Sequence, residues 1–201
     1  MKFPPLACDR LQRVKPVAIL AVLAVATSIA CTTVRTSGHS QPIDEPPPLL
    51  GLVDRLEVET YSPEWVDELV QAEPDPTEAA RLAGSGAGCE VVVYLGTWCS
   101  DSRRELARLW RALDLAGGGG LFEVSYVGVD REKREPAELL AGIELDYVPT
   151  IVVRREGREL GRIVESSPIA IETDLADLLS GVQVGVLSGR DDLGETDGDD
   201  G

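Results

Sequence analysis

Histidine is nearly absent from this 201-residue chain, because the only one is His39, in a proline-rich stretch near the N-terminus. A folded part without histidine excludes a Ser-His-Asp triad, a Cys-His pair and a histidine-ligated metal site. Cysteine is also scarce, with four residues at positions 8, 31, 89 and 99. The two that fall in the folded part are too few for a zinc site, so we expect no metal and no other cofactor.

Positive charge is in short supply, since 19 Lys and Arg face 35 Asp and Glu, for a formal net charge of −16. Nucleic acid and anionic membrane surfaces repel such a chain, so neither is an expected binding partner. Part of the excess lies in residues 183–201, which end in DDLGETDGDDG. We expect this segment to be a disordered acidic tail.

The N-terminus has the three parts of a secretory signal. Basic residues precede an apolar run over 17–26, and small residues follow the run as far as Cys31. The run is too short for a comfortable membrane span, so residues 1–30 are interpreted as a signal peptide. Three outcomes fit this segment: lipidation of Cys31, ordinary secretion with a free Cys31, or an uncleaved anchor.

The expected cleavage site favours lipidation. The stretch Ser28-Ile29-Ala30-Cys31 resembles the lipobox of bacterial lipoproteins, with Ser28 where leucine is preferred. That resemblance implies a lipid anchor at Cys31 and, because Thr32 is not the aspartate that retains a lipoprotein on the inner membrane, an outer-membrane position. With or without the lipid, we expect the domain in the bacterial cell envelope, in a periplasmic or other extracytoplasmic space where disulfides persist.

Composition divides the rest of the chain. Residues 31–48 are small, polar and proline-rich, which predicts a disordered tether. Residues 49–84 hold two helix starts, Ser62-Pro63 and Asp75-Pro76, and are interpreted as a helical N-terminal extension. Residues 85–182 follow the order β-α-β-α-β-β-α. A parallel β-α-β start followed by a hairpin predicts an α/β fold with a mixed central sheet and helices on both faces.

Two stretches of this domain carry a family resemblance. The first is GTWCSDSRRE at 96–105, which follows a buried strand and places Cys99 at a helix start; the second is VPTIVVRREGRELGRIVES, from Val148 onward. In this order the chain resembles the thioredoxin fold over about residues 91–180. More narrowly, it resembles bacterial thioredoxin-family proteins with a single cysteine in a WCxxS motif, which implies a three-layer thioredoxin-like fold.

The resemblance implies a site around one thiol. Cys99 would be the nucleophile, Pro149 would be the cis-proline that faces it, and the backbone of Val148 would pair with an extended substrate segment. Trp98 would form a partly exposed apolar wall, and Thr150 would follow the proline within the same site. Without the resemblance, Val148-Pro149-Thr150 is a turn that enters a strand.

Elementary physical chemistry also favours a reactive Cys99. A thiol at a helix start lies near unpaired amide groups and the positive end of the helix dipole, which favour the thiolate. Arg103 is four residues further along, on the same helical face, and adds a positive charge. The alternative is that Cys99 is an inert small residue that begins the helix.

Three residues depart from a dithiol mechanism. Ser102 stands where a second cysteine would complete Cys-x-x-Cys, and a hydroxyl cannot release a mixed disulfide at neutral pH. Val93 stands where many thioredoxins bury an acid. Cys89 begins the strand that Cys99 follows, roughly 25 to 30 Å away, whereas a disulfide needs Cα atoms within about 7 Å. Cys89 is therefore interpreted as a buried spacer.

Different functions remain open at this stage. The leading prediction is a monothiol thiol-disulfide oxidoreductase whose partners are envelope proteins with thiols or disulfides, or a small thiol. The alternative is a non-catalytic module that binds a peptide or protein. A peroxidase of the peroxiredoxin kind is a weaker prediction, because the Pro-x-x-x-Thr-x-x-Cys motif is absent. Arg103 and Arg104 would either orient an acidic thiol substrate or form part of a solvated helix face. If the N-terminal extension covers the thiol, Trp65 or Leu69 would form a wall of the site.

Lipidation of Cys31 predicts a defined mature N-terminus. When the full-length chain is expressed in a bacterium, mass spectrometry should find Cys31 as the first residue, carrying a diacylglyceryl group. Cys31→Ser should abolish that modification and release the chain from the membrane fraction. An unmodified Cys31 in the mature chain would contradict lipidation.

Overall fold

The structure of residues 46–193 is described by a computed structural model. The predicted signal peptide, the tether up to residue 45 with Cys31 and His39, and residues 194–201 of the predicted tail lie outside the described residues. Within residues 46–193 no helix is long and apolar enough to cross a membrane.

Six strands and six helices make up the described part of the chain. In order they are β1 (Gly51–Val53), α1 (Arg55–Glu59), α2 (Pro63–Gln71), α3 (Pro76–Ala83), β2 (Cys89–Leu95), α4 (Ser100–Leu115), β3 (Glu123–Gly128), α5 (Ala137–Leu140), β4 (Thr150–Arg155), β5 (Arg158–Val164), α6 (Ile171–Ser180) and β6 (Gly185–Leu187). The strands form one sheet in the order β1-β3-β2-β4-β5-β6.

The sheet is mixed, as the sequence predicts. Strands β2 and β3 are parallel and are connected through α4, whereas β4 is antiparallel to β2 and β5 is antiparallel to β4. The β4–β5 hairpin turns at Glu156-Gly157, where both residues have positive φ values of 53° and 74°, the conformation that a type I′ turn requires. The predicted hairpin at this dipeptide is confirmed.

Side chains on the two faces of the sheet form two separate cores. Alternation along β2 places Val91, Val93 and Leu95 in the larger core, with side chains from α1, α2, α3, α4 and α6. Tyr94 lies in the smaller core on the opposite face, which α5 and the segment after it cover. Helices therefore lie on both faces of the mixed sheet, and the predicted α/β class is confirmed.

Two short strands widen the sheet beyond the predicted core. Strand β1 lies within the extension that the sequence predicts as helical, and it pairs antiparallel with β3. Strand β6 lies within the predicted tail of residues 183–201 and pairs parallel with β5. The structured part of the chain therefore continues past the predicted boundary at residue 182. It includes the three-residue strand β6, which lies in a segment rich in glycine and acidic residues.

Helix α6 begins later than the sequence predicts. The Ser167-Pro168 pair predicts a helix start, but the helix begins at Ile171 and Ala170 is extended, with φ of −164°. The reason is a side-chain hydrogen bond: the N–H of Ile169 donates to Asp174 Oδ2 at 3.0 Å. This bond holds the segment before the helix in a turn.

The buried carboxylate of Glu172 joins the extension to the sheet domain. Glu172 in the first turn of α6 is fully buried, and Arg108 of α4 donates to it from Nη2 at 2.6 Å and from Nε at 2.8 Å. The N–H of Asp75, which caps α3, donates to the same carboxylate at 3.0 Å. Burial alone would raise the pKa of Glu172, but these donors outweigh burial and hold the pKa below its ordinary value.

Removal of this carboxylate should destabilise the fold in a pH-dependent way. Because the pKa of Glu172 is depressed in the folded state, its contribution is present above the pKa of the unfolded chain and is lost as pH falls through the folded value. Glu172→Gln should cost about 2 kcal/mol of unfolding free energy near pH 7 and much less near about pH 3. Urea unfolding at the two pH values measures the difference.

A surface carboxylate supplies the matched control. Glu159 is an exposed residue of β5 that accepts from Arg162, and Glu159→Gln should cost well under about 1 kcal/mol. An equal loss for Glu172→Gln at both pH values would contradict a stabilising role for the ionised carboxylate.

Candidate functional site

Cys99 lies in the loop between the carboxyl end of β2 and the start of α4. It is the N-cap residue of α4, and its carbonyl oxygen accepts from the N–H of Arg103 at 3.1 Å. Its own N–H donates to the carbonyl of Gly96 at 2.9 Å. The thiol is a free, half-buried group that packs against the smaller core. The structure therefore places Cys99 at a helix start, as the sequence predicts.

The sulfur of Cys99 faces the segment that precedes β4. Its Sγ–H donates to the carbonyl oxygen of Val148 at 3.1 Å, and the Val148–Pro149 peptide is cis, as the family resemblance implies. Val148 is buried, and its N–H has no acceptor among residues 46–193. The sequence separation between the thiol and its acceptor is 49 residues, so the sheet brings the two together.

The amides at the start of α4 do not bind the sulfur. Cys99 caps the helix with its carbonyl oxygen only, and its side chain accepts no hydrogen bond from the first turn. A carbonyl oxygen accepts a hydrogen bond only from the protonated thiol. In the structure the Cys99 sulfur therefore contacts the Val148 carbonyl oxygen and no amide of the first turn of α4.

Trp98 forms the half-buried wall beside the thiol that the resemblance implies. Its indole Nε1–H donates to the carbonyl oxygen of Val129 at 3.2 Å, and the guanidinium of Arg131 lies 5.2 Å from the ring centroid. The ring lies directly over Gly96, where a Cβ atom would come within 2.6 Å of Trp98 Cε2. Glycine is therefore needed at position 96 for this placement of the indole.

Ser102 and Thr150 shape the loops of the site. Ser102 is fully buried, and its Oγ accepts from the N–H of Gly96 at 3.2 Å, which connects the end of β2 to the first turn of α4. Thr150 is also buried, and its Oγ1–H donates to the carbonyl oxygen of Tyr147 at 2.8 Å. This bond closes the turn that contains Val148 and Pro149.

The arginines of α4 engage carboxylates. Arg104 pairs with Asp101 at 2.7 Å and with Glu105 at 3.3 Å, as the solvated-face alternative predicts. The pKa of Glu64 in α2 is lowered, first by the Ser62 hydroxyl, then by a backbone N–H, and less by the charge of Arg103. Within residues 46–193 the Arg103 side chain makes no hydrogen bond to Cys99, so the predicted charge support at the sulfur is not a direct contact.

A polar cleft of about 440 Å³ lies between α2, α4 and residues 167–171. Glu105 forms part of its wall and is almost fully buried. Burial raises the pKa of Glu105, and the nearby Arg104 charge only partly opposes that effect. The cleft combines acidic and basic groups, and its arginines are already paired with carboxylates.

Sequence reasoning missed Thr97, whose carbonyl and hydroxyl oxygens both bind the N-terminal extension. Thr97 is 1% exposed; its Oγ1 accepts from the N–H of Leu49 at 3.3 Å, and its carbonyl oxygen accepts from Trp65 Nε1–H at 2.9 Å. The extension therefore contacts the cysteine-bearing loop from the side of the larger core. Leu69 packs in that same core and does not wall the thiol.

Cys89 lies at the opposite end of β2 from the site. Cys89 is buried at the first position of β2, opposite Arg155 of β4, whereas Cys99 follows the last residue of that strand. Cys89 is a free cysteine, consistent with the predicted spacer. Between residues 46 and 193 no group of three or more His, Cys, Asp or Glu side chains could hold a metal ion.

Comparison with known proteins shows similarity of fold. No family model and no curated protein matches the chain. A solved protein of unknown function from Pseudomonas aeruginosa aligns with a TM-score of 0.50 and 17% identity, over 66% of this chain and 94% of that chain. An HIV epitope-scaffold aligns with a TM-score of 0.47 and 17% identity, over 66% and 92% of the two chains.

Mitochondrial thioredoxin 3 from Saccharomyces cerevisiae, in its oxidized form, is a more distant structural neighbour. It aligns with a TM-score of 0.30 and 18% identity, over 57% of this chain and 98% of that chain. The class of this protein follows from its own topology: parallel β2 and β3 joined through α4, the antiparallel β4–β5 hairpin, and helices on both faces. This arrangement is a thioredoxin-like α/β fold.

The contact between Gly96 and Trp98 predicts a local effect of a small substitution. In Gly96→Ala the new methyl group should displace the indole and break its hydrogen bond to Val129, so the Trp98 Nε1–H signal in an NMR spectrum should move and exchange faster. Trp98→Phe assigns that signal. Gly119→Ala is the matched control, because a Cβ at Gly119 meets nothing within 4 Å. An unmoved Trp98 signal in Gly96→Ala would show that the indole does not lie over Gly96.

Proposed function

We propose that this protein is a thioredoxin-family protein of the bacterial cell envelope that performs thiol-disulfide exchange with Cys99 alone. The observation that carries the proposal is the 3.1 Å contact between Cys99 Sγ and the carbonyl oxygen of Val148, next to the cis Val148–Pro149 peptide. It puts a half-buried thiol beside a backbone segment that can pair with an extended chain. The Pro149 carbonyl already accepts from the N–H of Glu165 at 2.7 Å.

The proposed chemistry needs two thiols and one disulfide. The Cys99 thiolate attacks one sulfur of a partner disulfide, a new S–S bond forms to Cys99, and the other sulfur leaves as a thiolate. A second thiolate, from a small molecule or a protein, then attacks the partner's sulfur in the mixed disulfide. Cys99 leaves as a thiolate and the new disulfide departs, so the protein undergoes no net oxidation or reduction.

Backbone pairing at Val148 would align the partner for attack. The Val148 N–H has no acceptor among the described residues, so an extended segment can accept from it and donate to the Val148 carbonyl. The Val148 carbonyl oxygen has two lone pairs, so it could accept from the partner as well as from Cys99. An extended partner paired there would lie next to the sulfur.

Ser102 limits the proposed reaction to intermolecular resolution. Its hydroxyl is buried and already accepts from the Gly96 N–H, and it cannot act as a resolving thiol. Cys89 is buried at the far end of β2. The second thiol must come from another molecule, and the proposed partners are envelope proteins with thiols or disulfides, or a small thiol. A lipid on Cys31 would attach the protein to the outer membrane.

One observation favours a second candidate, a non-catalytic module that binds an extended peptide. The Cys99 thiol donates to Val148, and no amide of α4 supports a thiolate by a hydrogen bond. In that case Val148 would still pair with a partner, but Cys99 would form no bond to it. Formation of a covalent intermediate separates the two candidates.

The exchange reaction predicts a mixed disulfide at Cys99 only. Incubation of the soluble domain with oxidised glutathione at neutral pH should add one glutathione to Cys99, detected by peptide mass spectrometry, and reduced glutathione should remove it. Cys89→Ser should react like the wild type, and Cys99→Ser should not react.

Two results would change the assignment. Absence of a mixed disulfide in folded protein, together with binding of extended peptides by the Cys99→Ser variant, would make the binding module the function. Rapid reduction of hydrogen peroxide with a sulfenic acid at Cys99 would instead indicate a peroxidase.

A further inference from the structure

We propose that the N-terminal extension positions the reactive loop, and that Trp65 is a positioning residue for Cys99 which acts through Thr97. This inference rests on the proposed function, because it concerns the same thiol. The extension reaches the loop at two atoms of Thr97, two residues before Cys99. The loop depends on these contacts because the polar groups of Thr97 are buried.

The carbonyl oxygen and the hydroxyl oxygen of Thr97 both accept hydrogen bonds from the extension. The indole Nε1–H of Trp65 donates to the Thr97 carbonyl at 2.9 Å, in a fully buried hydrogen bond across 32 residues of sequence. The N–H of Leu49 donates to Thr97 Oγ1 at 3.3 Å. If either donor is lost, one of these two Thr97 oxygen atoms is left without its partner. An unsatisfied buried acceptor costs more free energy than the hydrogen bond itself contributes.

Trp65 is held rigidly enough to position its acceptor. It is 1% exposed, and its ring contacts that of Trp110 in α4 with centroids 5.9 Å apart. Helix α2, which carries Trp65, packs on α4. The indole is therefore locked to the same helix that begins at Cys99, and its N–H points back to the loop before that helix.

The second contact depends on a close approach of two backbones. Residues 46–50 pass over the carboxyl end of β3, where a Cβ at Gly128 would come within 2.3 Å of the Leu49 carbonyl oxygen. Only glycine at position 128 leaves room for this passage. The passage brings the Leu49 N–H to Thr97, so the segment that connects the domain to the N-terminal part of the chain touches the reactive loop.

Other hydrogen bonds also restrain the loop. The Gly96 N–H donates to Ser102 and the Cys99 N–H donates to the Gly96 carbonyl, while Trp98 and Cys99 donate to the carbonyl oxygens of Val129 and Val148. The two bonds to Thr97 are the ones that come from the N-terminal extension. If they are lost, Cys99 Sγ should move relative to the Val148 carbonyl, which frees the thiol for small reagents but spoils its alignment with a partner paired at Val148.

The experiment compares two buried indoles that contact each other. Trp65→Phe removes the donor to Thr97, whereas Trp110→Phe removes a donor whose acceptor is the Tyr126 hydroxyl at 2.8 Å. In a Cys89→Ser background, we measure Cys99 rates with iodoacetamide across pH and with oxidised glutathione, and the unfolding free energy by urea. Trp65→Phe should raise the iodoacetamide rate and lower the glutathione rate, and their ratio should change by about fivefold or more. Trp110→Phe should lose stability and keep the ratio.

A second pair of variants tests the same inference without altering a core indole. Thr97→Val removes the acceptor for the Leu49 N–H and keeps the shape of the side chain, whereas Thr97→Ser keeps the hydroxyl. We expect Thr97→Val to change the ratio of rates in the same direction as Trp65→Phe, and Thr97→Ser to retain the wild-type ratio. These variants decide the question if Trp65→Phe fails to fold.

Failure of this inference is distinguishable from failure of the proposed function. Equal rate ratios and pH profiles in Trp65→Phe, Trp110→Phe and wild type would overturn the positioning role, even if Cys99 exchanges normally. If wild-type Cys99 does not exchange with glutathione, the proposed function fails. The iodoacetamide pH profile of the variants still tests positioning in that case.

Discussion

The burial of β2 on both faces determines where the thiol lies. Alternate side chains of this strand enter the two cores, and its two edges pair with β3 and β4. A strand with every edge and face occupied cannot shift its register without exposing a whole row of apolar side chains. The loop after Leu95 therefore starts from a fixed point, and Cys99 follows four residues later.

Backbone groups satisfy most polar atoms around that point. The Trp98 indole uses the Val129 carbonyl, the Thr150 hydroxyl uses the Tyr147 carbonyl, and the Cys99 thiol uses the Val148 carbonyl. Charged pairs lie further along α4, where Arg108 and Glu172 connect it to α6. The site is thus a set of loops held by hydrogen bonds at the carboxyl end of a sheet, and the Arg108–Glu172 ion pair lies more than two helical turns from Cys99.

Much of the fold can be predicted from the sequence because its helices and strands have strong local signals. The β-branched run of β2, the proline at the first position of α2 and of α3, and the Glu156-Gly157 turn each identify an element without tertiary information. The position of Cys99 at a helix start, and the cis Val148–Pro149 peptide, follow from the family resemblance. Strands β1 and β6 have three residues each, too few to show a period.

Long-range contacts are the part of the site that sequence patterns do not reveal. Leu49, Trp65 and Thr97 have no shared spacing or composition. The packing of α2 on α4 brings Trp65 to Thr97, and the close approach of the Leu49 backbone to Gly128 brings Leu49 there. The same holds for Asp174, whose hydrogen bond to the Ile169 N–H delays the start of α6. Helix propensity near Ser167-Pro168 is a local property, and a side chain from the next turn overrides it.

The short edge strands have a consequence for how another chain can add to this sheet. An open edge attracts extended segments of any sequence, and length increases that hazard. Within residues 46–193 the outer strands β1 and β6 have only three residues each, and each contains a glycine at positive φ, Gly51 and Gly185. Indiscriminate β-addition and aggregation are therefore disfavoured along β1 and β6.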